Sequence, residues 1–218
     1  MDIFLKNKAK INKKLLFSTV LNYIIVILEI YSISISARNK GYGMFRFYTD
    51  NSNMFALFAC FLLAMYQTIS LLKNKDITPM WVKNLKYYST CCVALTFIIV
   101  ACFLAPLCGI NGIVIMFTYN SMFYHHLICP LLVVISFMFF EKYNFKHNII
   151  YKALIPTLGY GIVILILNLL KVVRGPYPFL FVYELPVWSI VLFMIAIVLL
   201  AFSLNWIIWR FNKKLSNR

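Results

Sequence analysis

Two short polar clusters interrupt an otherwise apolar chain. The first, Phe45 to Phe58, reads FRFYTDNSNMFALF and sets Arg46, Thr49, Asp50, Asn51, Ser52 and Asn53 close together. The second, in a later apolar segment, holds Tyr119, Asn120 and Ser121, then His125 and His126. A threonine hydroxyl beside an imidazole can act as nucleophile and base in acyl transfer, because the unaided hydroxyl is too weak an acid to attack at neutral pH. Histidine is the side chain whose ordinary range suits that proton transfer. His125 and His126 are both candidates for the base. Asn53 and Asn120 carry amide donors for a developing oxyanion. Asp50 or Glu29 can orient an imidazole, and Arg46 or Arg174 can hold an anionic head group. The same residue types would also serve a buried hydrogen-bond network with no chemistry.

These residues need elements to position them, and composition decides which. The chain has 218 residues, 63% of them apolar and 12% charged; soluble domains carry about 25% charged residues. A soluble core of this size cannot hide so many Phe, Ile and Leu side chains, so the chain reads as a membrane protein and a soluble enzyme is excluded. The net charge of +15 does not point to nucleic acid, because the basic residues sit between apolar runs, where they orient helices in the bilayer and meet anionic lipid.

Six apolar segments are predicted: about Leu15 to Ile35, Phe47 or Asp50 to Leu72, Tyr87 to Leu104 or Leu107, one ending at Phe140, Ile149 to Leu170, and Leu185 to Trp209. The fold class is therefore all-α, a polytopic six-helix membrane protein forming one domain over 1–218. The stretch from Gly109 to Phe140 has no charge and exceeds the roughly 20 residues that a span needs. The fourth span is therefore expected to begin near Thr118, after a short re-entrant or interfacial piece. Basic residues concentrate in the amino-terminal stretch, the links after segments two and four, and the tail, with few in the other three links. The positive-inside rule then puts both termini in the cytoplasm of a cell-membrane protein. The first segment is too long for a cleaved signal and reads as a retained helix. The six cysteines show no CxxC or Cys/His ligand spacing, so no disulfide, metal or cofactor is expected.

With this topology Glu29, Arg46, Thr49, Asp50, Asn53, Asn120, His125, His126, Arg174 and Glu184 all fall in the outer half, and one shared outer pocket is expected. The cytoplasmic half is expected to hold nothing comparable inside its helices. Locally, Arg46 and Asp50 are spaced i,i+4 and can pair. Thr49 or Asp50 can cap the second helix. Glu29 can pair with Arg38 or Arg46, and Pro130 can kink the helix beside the histidines.

The FYTDNSN pattern at the start of the second helix, a histidine before a proline in the fourth, and a PYPF turn before the last helix resemble the bacterial six-pass relatives of the androgen-induced gene 1 / FAR-17a family. The resemblance covers most of the chain in helix count and motif order. It implies a threonine-dependent integral membrane hydrolase acting on lipid acyl esters, with the family threonine at Thr49 and the family histidine at His125 or, one position nearer the proline, His126. Two other classes use the same pocket differently: a small-molecule or ion transporter or binding protein, and a non-catalytic membrane assembly factor. The absence of an internal repeat and the apolar cytoplasmic half speak against transport. The partners this reading implies are a lipid or acyl-chain substrate and anionic lipids at the cytoplasmic face.

Overall fold

The computed structural model describes the backbone of residues 2–141 and 143–216, and side chains between Lys13 and Leu215 apart from residue 142. Lys6, Lys8, Lys10, Lys142 and Arg218, which contribute to the charge pattern, lie outside the described side chains. The chain forms helices α1 (Asp2–Lys40), α2 (Tyr48–Leu72), α3 (Met80–Leu107), α4 (Gly109–Thr118), α5 (Asn120–Phe140), α6 (Ile149–Leu169) and α7 (Val187–Ser216), and no strand occurs among the described residues. All but α4 are long and apolar enough to cross a membrane. Helices are the form such segments must take in lipid, since every backbone N–H and C=O has to be satisfied within the segment.

Two boundaries differ from the sequence expectation, and the break before the fourth span falls within two residues of where it was expected. Helix α1 runs to Lys40 rather than stopping near Ile35. Helix α3 starts at Met80, after Pro79, so Lys83 and Lys86 belong to the helix rather than to the preceding link. The long uncharged stretch divides at Tyr119, whose extended backbone (φ −99, ψ 122) ends α4 and starts α5.

Helix α1 lies along α2, α2 packs on α3, and α5 packs against both α1 and α3. Helix α7 closes the bundle against α3 and the start of α6. One apolar cluster joins α1, α2, α3 and α5 at mid-depth through Ile25, Val26, Ala56, Cys60, Val93 and Val133. A second joins α3 and α5 to α6 and α7 around Tyr87, Phe137, Phe145, Ile150 and Trp209.

Three helices carry a proline; α6 breaks into a turn at Ala153–Leu154 before Pro156, whereas α3 and α5 widen before theirs in the same way. A π turn covers Val100–Leu104 ahead of Pro106, and another covers Tyr124–Ile128 ahead of Pro130. In both, the turn ends two residues before the proline. Proline has no N–H to give the fourth carbonyl back and its ring crowds that carbonyl, so the helix takes the wider turn. A third π turn, Ser136–Phe140, ends α5.

The link 170–186 folds back over the amino-terminal end of α2. It opens at Lys171 in the left-handed region (φ 58), and the Asn168 side chain donates to the Leu180 carbonyl. Gly175 sits inside this turn, where a Cβ would come within 2.6 Å of the Leu180 carbonyl oxygen and 2.7 Å of Asn168 Nδ2. Gly175→Ala is expected to cost about 1–3 kcal/mol, read as a lower Tm in detergent.

Candidate functional site

The polar residues of α1 recur on one face. Ser18, Asn22, Glu29, Ser32 and Ser36 are all buried, and Lys40 follows one turn beyond Ser36. Side chains three, four and seven residues apart share a helix face. Around the upper part of this stripe the other helices bring Asp50, Asn53 and His125, all buried.

Asp50 is the hub. Its Oδ1 accepts from Ser36 Oγ at 2.5 Å and lies 3.3 Å from His125 Nδ1; its Oδ2 meets Lys40 Nζ at 2.7 Å. The other ring nitrogen of His125, Nε2, points at Glu29 Oε2 at 3.9 Å. Ser32 and the Cys129 thiol also face the Glu29 carboxylate. His125 is thus held between two carboxylates, one on α1 and one on α2. Glu29 pairs with neither Arg38 nor Arg46, and Asp50 takes Lys40 in place of the expected Arg46.

His126 is oriented differently. Its Nδ1 is 3.1 Å from the Met116 carbonyl. A carbonyl can only accept, so Nδ1 carries the proton and Nε2 keeps its lone pair. His126 therefore has the tautomer a base needs. Asp50 orients His125 and not His126.

Thr49, His125 and His126 line one chamber of ≈ 310 Å³ with Lys40, Ser121, Cys108, Met116 and Tyr177. No hydrogen bond joins the Thr49 hydroxyl to either imidazole among the described residues. Thr49 also lines a second, apolar cavity of ≈ 100 Å³ with Tyr48, Leu95, Ile99, Gly161 and Val198. Thr49, Leu104 and Tyr177 belong to both walls.

The expected cap of α2 by Thr49 or Asp50 does not form. The N-cap is Phe47, without a side-chain cap bond. Instead the Tyr48 N–H donates to the Tyr177 hydroxyl at 2.9 Å, across 129 residues of chain. One of the orphan donors of the first turn is satisfied from another loop, and Thr49 lines the chamber beside the same tyrosine. Tyr177 also bonds the side chain and backbone of Thr49. Burial pushes its phenol up, against the lowering effect of those bonds, so Tyr177 stays neutral at physiological pH. A neutral phenol keeps its proton and can donate it to an oxyanion beside Thr49. Tyr177→Phe is expected to lower stability by about 1–2 kcal/mol by stranding the Tyr48 N–H, measured by thermal unfolding.

The remaining candidates separate from the chamber. Asn53 spends its Nδ2 on the Thr49 carbonyl at 2.8 Å and the His125 carbonyl at 3.2 Å, tying α2 to α5 rather than facing a substrate. Asn120 is exposed and starts α5 with φ 53. Arg46 is exposed; its Nε reaches Gly43 O and its own carbonyl accepts from Tyr160. Arg174 is 68% exposed and pairs with Glu184 at 2.6 Å. Ser121, from the second polar cluster, lines the chamber as expected; Lys40 is a cation on its wall that the sequence reading missed. The spacing of Ser32, Ser36 and Lys40 along the buried face of α1 was the signal that would have found Lys40.

The half expected to be apolar holds a second polar network. Lys86, fully buried, meets Asn22 Oδ1 at 2.8 Å, Cys60 Sγ at 3.0 Å and Glu141 Oε1 at 3.6 Å. Glu141, also buried, accepts from Ser136 at 2.6 Å and Asn22 at 2.9 Å, and Gln67 reaches the network through Ser18 at 2.9 Å. Lys86 and Glu141 had been assigned to links; a charge just beyond an apolar run looks solvated until a partner from another helix takes it inside. Among the described residues no group of three or more His, Cys, Asp or Glu side chains could hold a metal ion.

No family model, curated protein or solved structure matches this chain.

Proposed function

We propose that the protein is an integral membrane hydrolase or acyltransferase acting on a lipid acyl ester, with Thr49 as nucleophile and His126 as base. The observation that carries this is the place of Thr49, on the wall shared by a polar chamber that contains both histidines and an apolar cavity suited to an acyl chain. In the step proposed, His126 Nε2 takes the Thr49 hydroxyl proton as the oxygen attacks the ester carbonyl carbon. The imidazolium returns that proton to the departing alcohol oxygen when the ester C–O bond breaks. Water, or a second alcohol, then releases the acyl group from Thr49. The hydroxyl of Tyr177, at the positive end of α2, stabilises the oxyanion. Apo geometry without a Thr–His bond is compatible with this, since catalytic hydrogen bonds tighten when substrate binds.

The motif order shared with the androgen-induced gene 1 / FAR-17a family supports the same assignment. The excess of lysines and arginines at the Glu141 end supports a cytoplasmic location for that end and both termini, with the chamber outward. The test is turnover of long-chain acyl esters by the purified protein in detergent. Hydrolysis that rises with acyl length is the expected result. Absence of turnover across short and long esters would overturn the assignment.

A further inference from the structure

The two networks and the apolar cluster between them are stacked in the same order on α1, α2 and α5, and α3 adds to the cluster and to the Lys86 network. On α1 the order is Glu29, then Ile25 and Val26, then Asn22. On α2 it is Asp50 and Asn53, then Ala56 and Cys60, then Gln67. On α3 Val93 precedes Lys86, passing in the opposite direction along the chain, and on α5 His125 and Cys129 are followed by Val133, then Ser136 and Glu141. Buried ionisable groups therefore stand on both sides of one apolar layer. Seven residues separate Glu29 from Asn22, so the layer is about 10 Å deep.

Several groups are left incomplete. His125 Nε2, Glu29 Oε1 and Glu141 Oε2 are buried without a hydrogen-bond partner. Two unsatisfied carboxylate oxygens and an imidazole nitrogen in one membrane domain are costly. They occur where the helix backbone is also irregular: one π turn of α5 carries His125 and the other carries Ser136, next to Glu141. The seven residues between the turns, Cys129–Ile135, carry Val133 of the layer. Single π turns inside α-helices occur frequently at functional sites.

We propose that these networks are the two stations of a proton path across the membrane, gated by the Ile25–Val133 layer. A proton arriving from the chamber enters the triad at the Asp50 side of His125, and His125 gives up its Nε2 proton to the Glu29 carboxylate, the ring keeping the N–H electron pair. When the layer opens to water, the proton leaves Glu29 for Glu141 and departs at the opposite end through the Ser18–Gln67 side. No bond other than O–H and N–H changes. The groups facing His125 are Lys40 and Glu29 from α1, Asp50 from α2, and His126 and Cys129 from its own helix. Those facing Glu141 are Lys86 from α3, Asn22 and Ser18 from α1, Cys60 from α2, Ser136 from α5, and Tyr143 from the following link.

The test uses the full chain in vesicles loaded with a pH-sensitive dye, with a potassium diffusion potential driving proton entry. Wild type, Glu29→Gln and Val133→Ser are compared with protein-free vesicles, each variant first shown to be folded and monodisperse. The expected result is proton entry well above protein-free vesicles, reduced at least about tenfold by Glu29→Gln and raised by Val133→Ser, which hydrates the layer. If neither wild type nor Val133→Ser exceeds protein-free vesicles, or Glu29→Gln conducts like wild type, the path is overturned. Ester turnover is measured on the same preparations. Proton entry without turnover upholds the path and overturns the hydrolase; turnover without proton entry does the reverse.

Discussion

Thr49→Ala is expected to abolish covalent labelling of the purified protein by a fluorophosphonate ester probe, and Thr49→Ser to retain it. The alanine removes the hydroxyl oxygen proposed to displace fluoride from the probe's phosphorus, whereas serine keeps an oxygen in the same place on the shared wall of the two cavities. His126→Gln is expected to slow labelling by about 10²–10³-fold, the size of effect for losing a positioned general base. His125→Gln separates the two histidines. Both ring nitrogens of His125 face carboxylates, at 3.3 Å and 3.9 Å, so its loss should weaken the fold and leave labelling per folded molecule closer to wild type. Labelling rates normalised to monodisperse protein measure this. A Thr49→Ala protein that labels like wild type would remove Thr49 from the chemistry, and an effect of His125→Gln exceeding that of His126→Gln would exchange their roles.

The second large effect is on stability. Lys86→Ala and Glu141→Ala are each expected to cost about 3–5 kcal/mol, because removing one member of a buried pair leaves the other charge uncompensated. Lys86 has further partners in Asn22 and Cys60, and Glu141 in Ser136 and Asn22, so neither charge can turn to water without breaking those contacts. The double variant Lys86→Met with Glu141→Gln removes both charges and keeps comparable volume. It should recover most of the loss, since an apolar replacement of a buried ion pair is often neutral. Thermal unfolding in one detergent, read for Lys86→Met, Glu141→Gln and the double variant, gives the coupling. Additive losses in the double variant would show that the two residues are held separately.

The six-helix architecture was legible in the sequence because apolar length alone marks a span. The break before α5 was legible too, from an uncharged run too long for one helix. What escaped was pairing between distant segments. Arg46 and Asp50 have helix spacing, but the six-residue turn Gly41–Arg46 keeps Arg46 off α2, and Lys40 arrives from the preceding helix instead. Thr49 looked like a cap because of its position; Tyr177, far along the chain, took over that task. Lys86 and Glu141 looked like interface charges because nothing in their local sequence announces a partner on another helix. The candidate site was legible in its residue types, Thr49, Asp50, His125 and His126, and illegible in which imidazole each acid orients, since adjacent residues on a π turn are separated only by how that turn winds.

The Lys86 network also constrains how the chain can be made. Synthesis runs from the amino end, so α1 and α2 exist before Lys86 emerges, and Glu141 follows more than fifty residues later. When α3 enters the bilayer its ammonium meets Asn22 and Cys60, a polar oxygen and a thiol, and no carboxylate. The Asn22 and Cys60 contacts thus act as an assembly berth, keeping a costly cation lodged against the first hairpin until the fourth helix delivers its counter-charge. A nascent chain halted between α3 and Glu141 carries that cation without its carboxylate, lodged against Asn22 and Cys60 alone.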